Sequence, residues 1–279
     1  MPTRQARSSS VTLRAAKPQA GLRDAYAKKL RALVLSMSQD VAEAVKEAYE
    51  ANEPLIAQDA KALPAKKLSD IMDRLRKRWD ERFNGEARNL AQWFAKKVRS
   101  GVVRQQKDAI KSAKDLPPAF SVGFDKGRVS QDVFEAIVEE NASLIKSIGR
   151  TYLDQVEGLV MRSVTAGRDI KGLAEDLQKR YDITKRRADF IARDQNNKAA
   201  ESLARAHDLN LGITRGVWMH VPGKYTSRKS HKDADGEEFD LNKGIWDNEV
   251  KKWVKPGELP GCQCTYRPIL PKDLWKRKS

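Results

Sequence analysis

Residues 187–220 read RADFIARDQNNKAAESLARAHDLNLGITRGVWMH, and the change of period inside this stretch decides the fold. As far as Asn210, the residues Ala188, Ile191, Gln195, Ala199, Leu203 and Ala206 recur three or four apart, the spacing of one buried helix face. Thr184 precedes them as a candidate N-cap, and Gly212 follows as a terminator that can take the left-handed conformation. Beyond it, Ile213, Val217 and Trp218 open a β-branched and aromatic stretch in which glycine and proline recur to the end. Residues 212–270 therefore read as a small, irregular β-rich module of two to four short strands. It is too small to hold together without support from the rest of the chain.

Working towards the N-terminus, helical periodicity dominates. Tyr26, Leu30, Leu33, Met37, Val41, Val45 and Tyr49 form one stripe that Pro54 stops. A second block runs from Leu68 to Lys111 with Ile71, Leu75, Trp79, Phe83, Leu90, Phe94 and Val98 on its inner face, and Asn84-Gly85 marks a turn between two helices within it. The loop LPPAFSVGFDKGRVS ends at Ser130 and sets a domain boundary over 115–130. After it come a long helix through Phe134, Val138, Ile145, Ile148, Tyr152, Val156 and Leu159 that ends near Gly167, and a shorter one from Asp169 to Tyr181.

The expected architecture is mainly α, with long amphipathic helices, a helical bundle and a small C-terminal β-containing module, hence α+β overall. Its segments are a flexible basic arm (1–21), a basic helical region (22–114), the linker (115–130), the bundle (131–211), the β-rich module (212–270) and a basic tail (271–279).

Charge narrows the partners. The chain carries 54 Lys and Arg against 38 Asp and Glu, a formal net charge of +16, which favours polyanions. The surplus is concentrated in the N-terminal half: residues 61–114 hold sixteen basic and six acidic side chains, whereas 131–180 hold seven and nine. Arg74, Arg76, Lys77, Arg78, Arg82, Lys96, Lys97, Arg99 and Arg104 are the candidate contacts to a DNA backbone; a solvated helix face is the plainer reading of the same run. No apolar run reaches the length of a membrane span, and residues 1–21 lack the apolar core of a signal peptide. Two cysteines one residue apart suit a reducing compartment, so a cytosolic protein without membrane contact is expected.

Both cysteines and two of the three histidines fall in the last sixty residues. His231, Cys262 and Cys264, with His220, Asp233 or Asp235 as a fourth group, are candidate ligands of a structural zinc ion. The Cys262-Gln263-Cys264 spacing differs from the two-residue separation of a zinc knuckle, and the same residues also fit small buried groups closing a core, with His231 bonded to the turn at Asp235-Gly236. A catalytic reading, with His231 and nearby acidic residues serving a nuclease, lacks a nucleophile elbow, a phosphate-cradling loop and a His-Glu-x-x-His motif. Trp218, Trp246 and Trp253 fit either base stacking or the hydrophobic content of a small module. His207, on a polar helix, reads as a surface residue.

Taken together, three groups of residues resemble the phage Mu F-like family of head morphogenesis proteins, also called minor head or minor capsid proteins. The first is Leu144-Ile145-Lys146-Ser147-Ile148 with Tyr152-Leu153 and Val156; the second is Arg187-Ala188, Ile191-Ala192-Arg193-Asp194-Gln195 and Lys198. The third is Trp218, Arg228, His231, Asp235-Gly236, Phe239 and Pro256-Gly257, closing on Cys262-Gln263-Cys264. The likeness covers roughly residues 130 to 270 and departs from the family at Gln263, where arginine is usual. It implies a structural, non-enzymatic component of the portal vertex or inner capsid that acts in capsid assembly and in DNA packaging or ejection. Implied partners are the portal protein, the major capsid protein and double-stranded phage DNA, in the host cytoplasm during assembly and afterwards in the virion. The competing readings are a nuclease or toxin-like effector delivered with the genome, and a free cytosolic nucleic-acid-binding protein with a zinc-stapled tail.

Overall fold

The computed structural model describes residues 10–50, 64–113, 129–166, 170–223 and 227–271. In chain order the elements are β1 (Ser10–Thr12), α1 (Ala20–Glu50), α2 (Pro64–Ser112), α3 (Val129–Thr165), α4 (Ile170–Asn210), β2 (Arg215–Met219), α5 (Lys229–Asp233), β3 (Glu238–Asp240), β4 (Ile245–Asp247), β5 (Lys252–Val254) and β6 (Thr265–Pro271). Four long helices and a small β-containing C-terminal part make the mainly α, α+β architecture that the periodicities predict. No described helix is long and apolar enough to cross a membrane.

The chain forms two compact units that draw on both sides of the expected linker. One unit takes residues 24–92 and 138–192, and the other takes 1–23, 93–137 and 193–279.

The first unit packs segments of all four long helices through the stripes read from the sequence. Tyr26, Leu30, Leu33, Met37, Val41, Val45 and Tyr49 of α1 are all buried, as are Leu75, Trp79 and Phe83 of α2 and Ile145, Ile148, Tyr152 and Val156 of α3. Polar ends of the large side chains find partners: the Tyr26 hydroxyl donates to Asn141 Oδ1 at 3.0 Å, and Trp79 Nε1 donates to Asp40 Oδ2 at 2.6 Å. Such bonds remove the desolvation cost of burying an O–H or N–H. Gly149 lets α2 come close to α3, because a Cβ there would lie 2.6 Å from the Phe83 ring.

Two expected breaks are continuous helix. Asn84-Gly85 is no turn: α2 runs unbroken through it, with Phe83 and Ala87 buried on either side and nothing within 4 Å of where a Gly85 Cβ would stand. A single exposed glycine costs a helix about 1 kcal/mol relative to alanine, less than burial of the flanking face contributes. Thr184 is likewise no N-cap. It is buried inside the continuous α4, and its hydroxyl donates to the Arg180 carbonyl at 2.9 Å, one turn back, instead of to a free amide ahead of it.

The second unit holds the β structure. β1, β6, β2 and β3 form one antiparallel sheet in that order, and β4 pairs with β5. The arm expected to be flexible supplies β1, with Ser10 opposite Pro271 and Thr12 opposite Ile269; Leu13 and Ala16 behind it are buried. Residues 1–9 lie outside the described residues, as do 115–128 of the expected linker and 272–279 of the tail. Val129 and Ser130, read as loop, already belong to α3.

With β1 added, the sheet region contains six strands among the described residues, where two to four are expected for 212–270. Its core joins Leu13, Ile213, Trp218, Phe239, Leu241, Val254, Leu259, Tyr266 and Leu270 to Ala109 and Ile110 of α2. The helix supplies the support that the module cannot provide from its own length. Where α4 hands over to β2, Gly212 takes φ +78°, and the amides of Gly212 and Ile213 bond back to the carbonyls of Leu209 and Asp208 at 3.0 and 2.9 Å. This is the left-handed helix stop that the sequence places there.

Candidate functional site

The antiparallel register of β2 with β6 sets Trp218 opposite Tyr266 and Met219 opposite Thr265. One step further along the same register, His220 faces Cys264, and the His220 Nδ1 to Cys264 Sγ distance is 3.5 Å. Residues adjacent in the ladder but 44 apart in sequence thus meet because the strands pair in this register and no other. The end of the ladder is closed by the Asp235-Gly236 turn: the Gly236 amide donates to the Trp218 carbonyl at 2.9 Å, and the His220 amide donates to Asp235 Oδ1 at 2.8 Å.

The short helix α5 brings His231 to the same point. Its Nδ1 lies 3.5 Å from Cys262 Sγ and 3.6 Å from Cys264 Sγ, and the ligand atoms of the three residues are all within 4.8 Å of one another. All three side chains are buried. On its other side, His231 Nε2 is 3.3 Å from Asp247 Oδ2. Asp247 is held in place by the Ser230 hydroxyl at 2.7 Å and by the amides of Glu249 and Val250 at 2.9 and 3.0 Å. Burial works to raise the Asp247 pKa, but these donors and the neighbouring His231 together hold the carboxylate below its ordinary range.

The hydrogen bond from Cys264 and the adjacent His231 favour thiolate at Cys262, and the same shared proton pushes the Cys264 thiol up. The Trp218 ring stands edge-on to His231 at 5.2 Å and to Phe239 at 5.4 Å, which shields the cluster with aromatic surface.

The cysteine loop is also anchored to α4. Asp194 Oδ1 accepts from the Gly261 amide at 2.6 Å, and Asn197 Nδ2 donates to the Cys262 carbonyl at 3.4 Å.

Of the candidate fourth groups, His220 lies beside Cys264. Asp235 bonds backbone, and Asp233 is paired with Lys229 at 2.6 Å on the surface of α5. His231 is buried with Nδ1 facing sulfur and Nε2 facing Asp247.

A buried polar network beside this cluster was missed in the sequence. Asp208 accepts from Gln106 Nε2 at 3.0 Å and from the Tyr266 hydroxyl at 2.6 Å, and Gln106 also donates to the Ala204 carbonyl at 3.0 Å. Burial pushes Asp208 up to about 7 and Glu201, close by on the same face of α4, up to about 8. The available signal was spacing: Glu201 and Asp208 are seven apart and bracket the buried Ala204. His207 is half-buried rather than a plain surface residue, and burial together with the Arg99 charge lowers its pKa.

The nine basic candidates on α2 divide into two kinds. Arg76 bonds Asp154 and reaches Glu157 at 2.6 Å, and Arg78 pairs with Asp40 at 2.7 Å. Arg82 pairs with Glu86 at 3.0 Å and stacks 4.7 Å over Trp79, while Arg99 lies 4.4 Å over the Phe134 ring. These four are engaged within the protein. Arg74, Lys77, Lys96, Lys97 and Arg104 are exposed and have no carboxylate partner among the described residues.

The three tryptophans also separate: Trp218 is fully buried, whereas Trp246 and Trp253 are about half exposed and stack edge to face at 5.9 Å, with Lys243 Nζ 3.8 Å from the Trp253 ring.

Comparison with known proteins bears on the same region. Residues 154–267 match the family described as phage Mu protein F like protein, an interval that starts within α3, takes in all of α4 and the His/Cys cluster, and ends in β6. This supports the resemblance carried by the sequence motifs. A protein of Haemophilus influenzae strain Rd, described as uncharacterized, is 28% identical over 251 residues, which cover 88% of this chain and 52% of the relative. The chain thus spans about half the length of that relative. No solved structure matches the chain significantly.

Proposed function

We propose that this chain is a phage minor head protein, a structural component that takes part in head morphogenesis and touches packaged DNA without reading its sequence. The observation that carries this reading is the Mu F-like match over 154–267, an interval that takes in α4, the strands β2 to β5 and the His/Cys cluster. The protein's net charge of +16 supports work beside densely packed phosphate, where lysine and arginine give a salt-sensitive affinity independent of sequence. Within α2, Lys97 and Arg104 are seven residues apart on one face, and with Lys96, Arg74 and Lys77 they are the exposed members of the nine candidates without a carboxylate partner among the described residues.

The portal protein or the major capsid protein is the proposed docking partner, in the host cytoplasm during assembly and in the virion afterwards. The test is cosedimentation of the purified chain with portal rings and with capsid shells of the parent phage. Stoichiometric association that survives nuclease treatment is the expected result. Failure to bind either assembly, with the chain remaining free in the supernatant, overturns the proposal.

A further inference from the structure

We propose that His220, His231, Cys262 and Cys264 form a structural zinc site that clips the end of the β2–β6 ladder to α5. The ligand atoms of His231, Cys262 and Cys264 lie within 4.8 Å of one another, and His220 reaches this group at Cys264. Zinc holds thiolate sulfur at about 2.3 Å and imidazole nitrogen at about 2.0–2.1 Å in a tetrahedron, which fixes the sulfur-to-nitrogen separation at about 3.6 Å. Three of the four sulfur-to-nitrogen separations, those of His231 to both sulfurs and of His220 to Cys264, are 3.5, 3.6 and 3.5 Å. His231 approaches both sulfurs through Nδ1, and His220 approaches Cys264 through Nδ1 as well.

The surroundings fit the same assignment. A metal on Nδ1 leaves the His231 proton on Nε2, which faces the fixed Asp247 carboxylate at 3.3 Å, the outer partner that orients a ligating imidazole. His231 Nε2 otherwise has no aligned hydrogen-bond partner although it is buried. Two thiolates and one divalent cation are neutral together, so a metal would supply the buried pair at Cys262 and Cys264 with a full counter-charge.

The ligands come from three separate segments: the residue after β2, α5, and the loop before β6. A closed site of two histidines and two cysteines with no ligand position left for substrate is a staple, and the short strands around it are the kind of structure that needs one. The one-residue spacing of the cysteines is accommodated because the remaining ligands arrive from other elements and not from a second knuckle.

The test uses the full chain purified without added metal. Elemental analysis should find one zinc per chain. After chelation, cobalt(II) titration should saturate at one equivalent, with the strong visible ligand-field bands of a tetrahedral site and thiolate charge-transfer absorption. Both cysteines should resist alkylation when loaded and react once the metal is removed. Chelation should lower the Tm by about 10 °C or more. Cys264→Ser should abolish the charge-transfer signal at one thiolate, and His220→Ala should weaken cobalt binding and change the band pattern.

Absence of stoichiometric metal, or alkylation of both cysteines at the same rate with and without zinc, overturns the site. Since both readouts are taken on the wild-type chain, they stand even if a variant fails to fold. A cobalt spectrum unchanged by His220→Ala removes His220 from the ligand set and overturns the four-ligand assignment.

Discussion

The Tyr266 hydroxyl donates to the Asp208 carboxylate at 2.6 Å, a bond that ties β6 to the last turn of α4 in the interior of the sheet-containing unit. It forms part of a set that also holds Gln106 of α2, so one carboxylate gathers side chains from three elements separated by up to 160 positions in the chain. Tyr266→Phe leaves one Asp208 oxygen buried without a donor, and an unsatisfied buried acceptor costs about 1–3 kcal/mol. Urea unfolding of the variant should show a lower midpoint with an unchanged slope. No loss of stability would mean that the bond is not made in solution.

The same network predicts how stability follows pH. Burial raises Glu201 to about 8 and Asp208 to about 7, whereas in the unfolded chain both ionise near their ordinary values of 4.5 and 3.8. Folding therefore takes up protons between about pH 4 and pH 8, and the stability these groups contribute is complete below that window and lost as pH rises through it. Glu201→Gln should gain on the wild type as pH rises from about 5 to about 8. Comparing variant with wild type isolates the effect from His207, whose lowered pKa acts in the opposite direction. A constant difference across the window would refute the assignment.

Among the described residues Trp218 is the largest fully buried side chain, and its ring meets those of His231 and Phe239 edge-on. Trp218→Ala should cost about 3–5 kcal/mol, through lost burial and the cavity left behind. Hydrogen exchange should then accelerate at β2, β3 and β6, while buried amides of α1 keep their protection.

Gly244 takes φ +85°, and a Cβ added there would stand 2.1 Å from the Val254 carbonyl oxygen. Gly244→Ala should separate β4 from β5 and cost about 1–3 kcal/mol in backbone strain. Limited proteolysis should reveal new cleavage between residues 244 and 254; a wild-type digestion pattern would contradict the strain.

If Lys97 and Arg104 meet phosphate, changing both to alanine should weaken double-stranded DNA binding about equally on all sequences and reduce the log-log salt slope by about 2. Arg76, bonded to Asp154 and Glu157, provides the contrast: Arg76→Ala should lower the Tm and leave the salt slope unchanged. Equal salt slopes for the double variant and the wild type would remove these two residues from the interface.

Much of this was legible locally. The α1 stripe from Tyr26 to Tyr49 is buried position by position, and Gly212 ends α4 as a residue free to adopt positive φ must. What misled was also local. Asn84-Gly85 and Thr184 carry turn and cap chemistry, yet both lie within helices whose buried faces continue on either side, and packing outweighs a propensity difference of about 1 kcal/mol. Val11 gave no periodic signal because a three-residue strand is too short to show one, and its partner Leu270 is at the other end of the chain.

The sequence by itself determined the helical stripes, the switch to β structure after Gly212, the basic surplus of α2 and the concentration of histidine and cysteine in the last sixty residues, since each depends on residue type and spacing along the chain. Tertiary structure alone decided which arginines are already engaged, that β1 joins the sheet, and that His220 lies beside Cys264 whereas Asp235 bonds backbone and Asp233 pairs with Lys229. The reason is register: His220 and Cys264 meet only once β2 and β6 pair as they do, and a contact across a ladder between residues 44 apart leaves no mark in local periodicity.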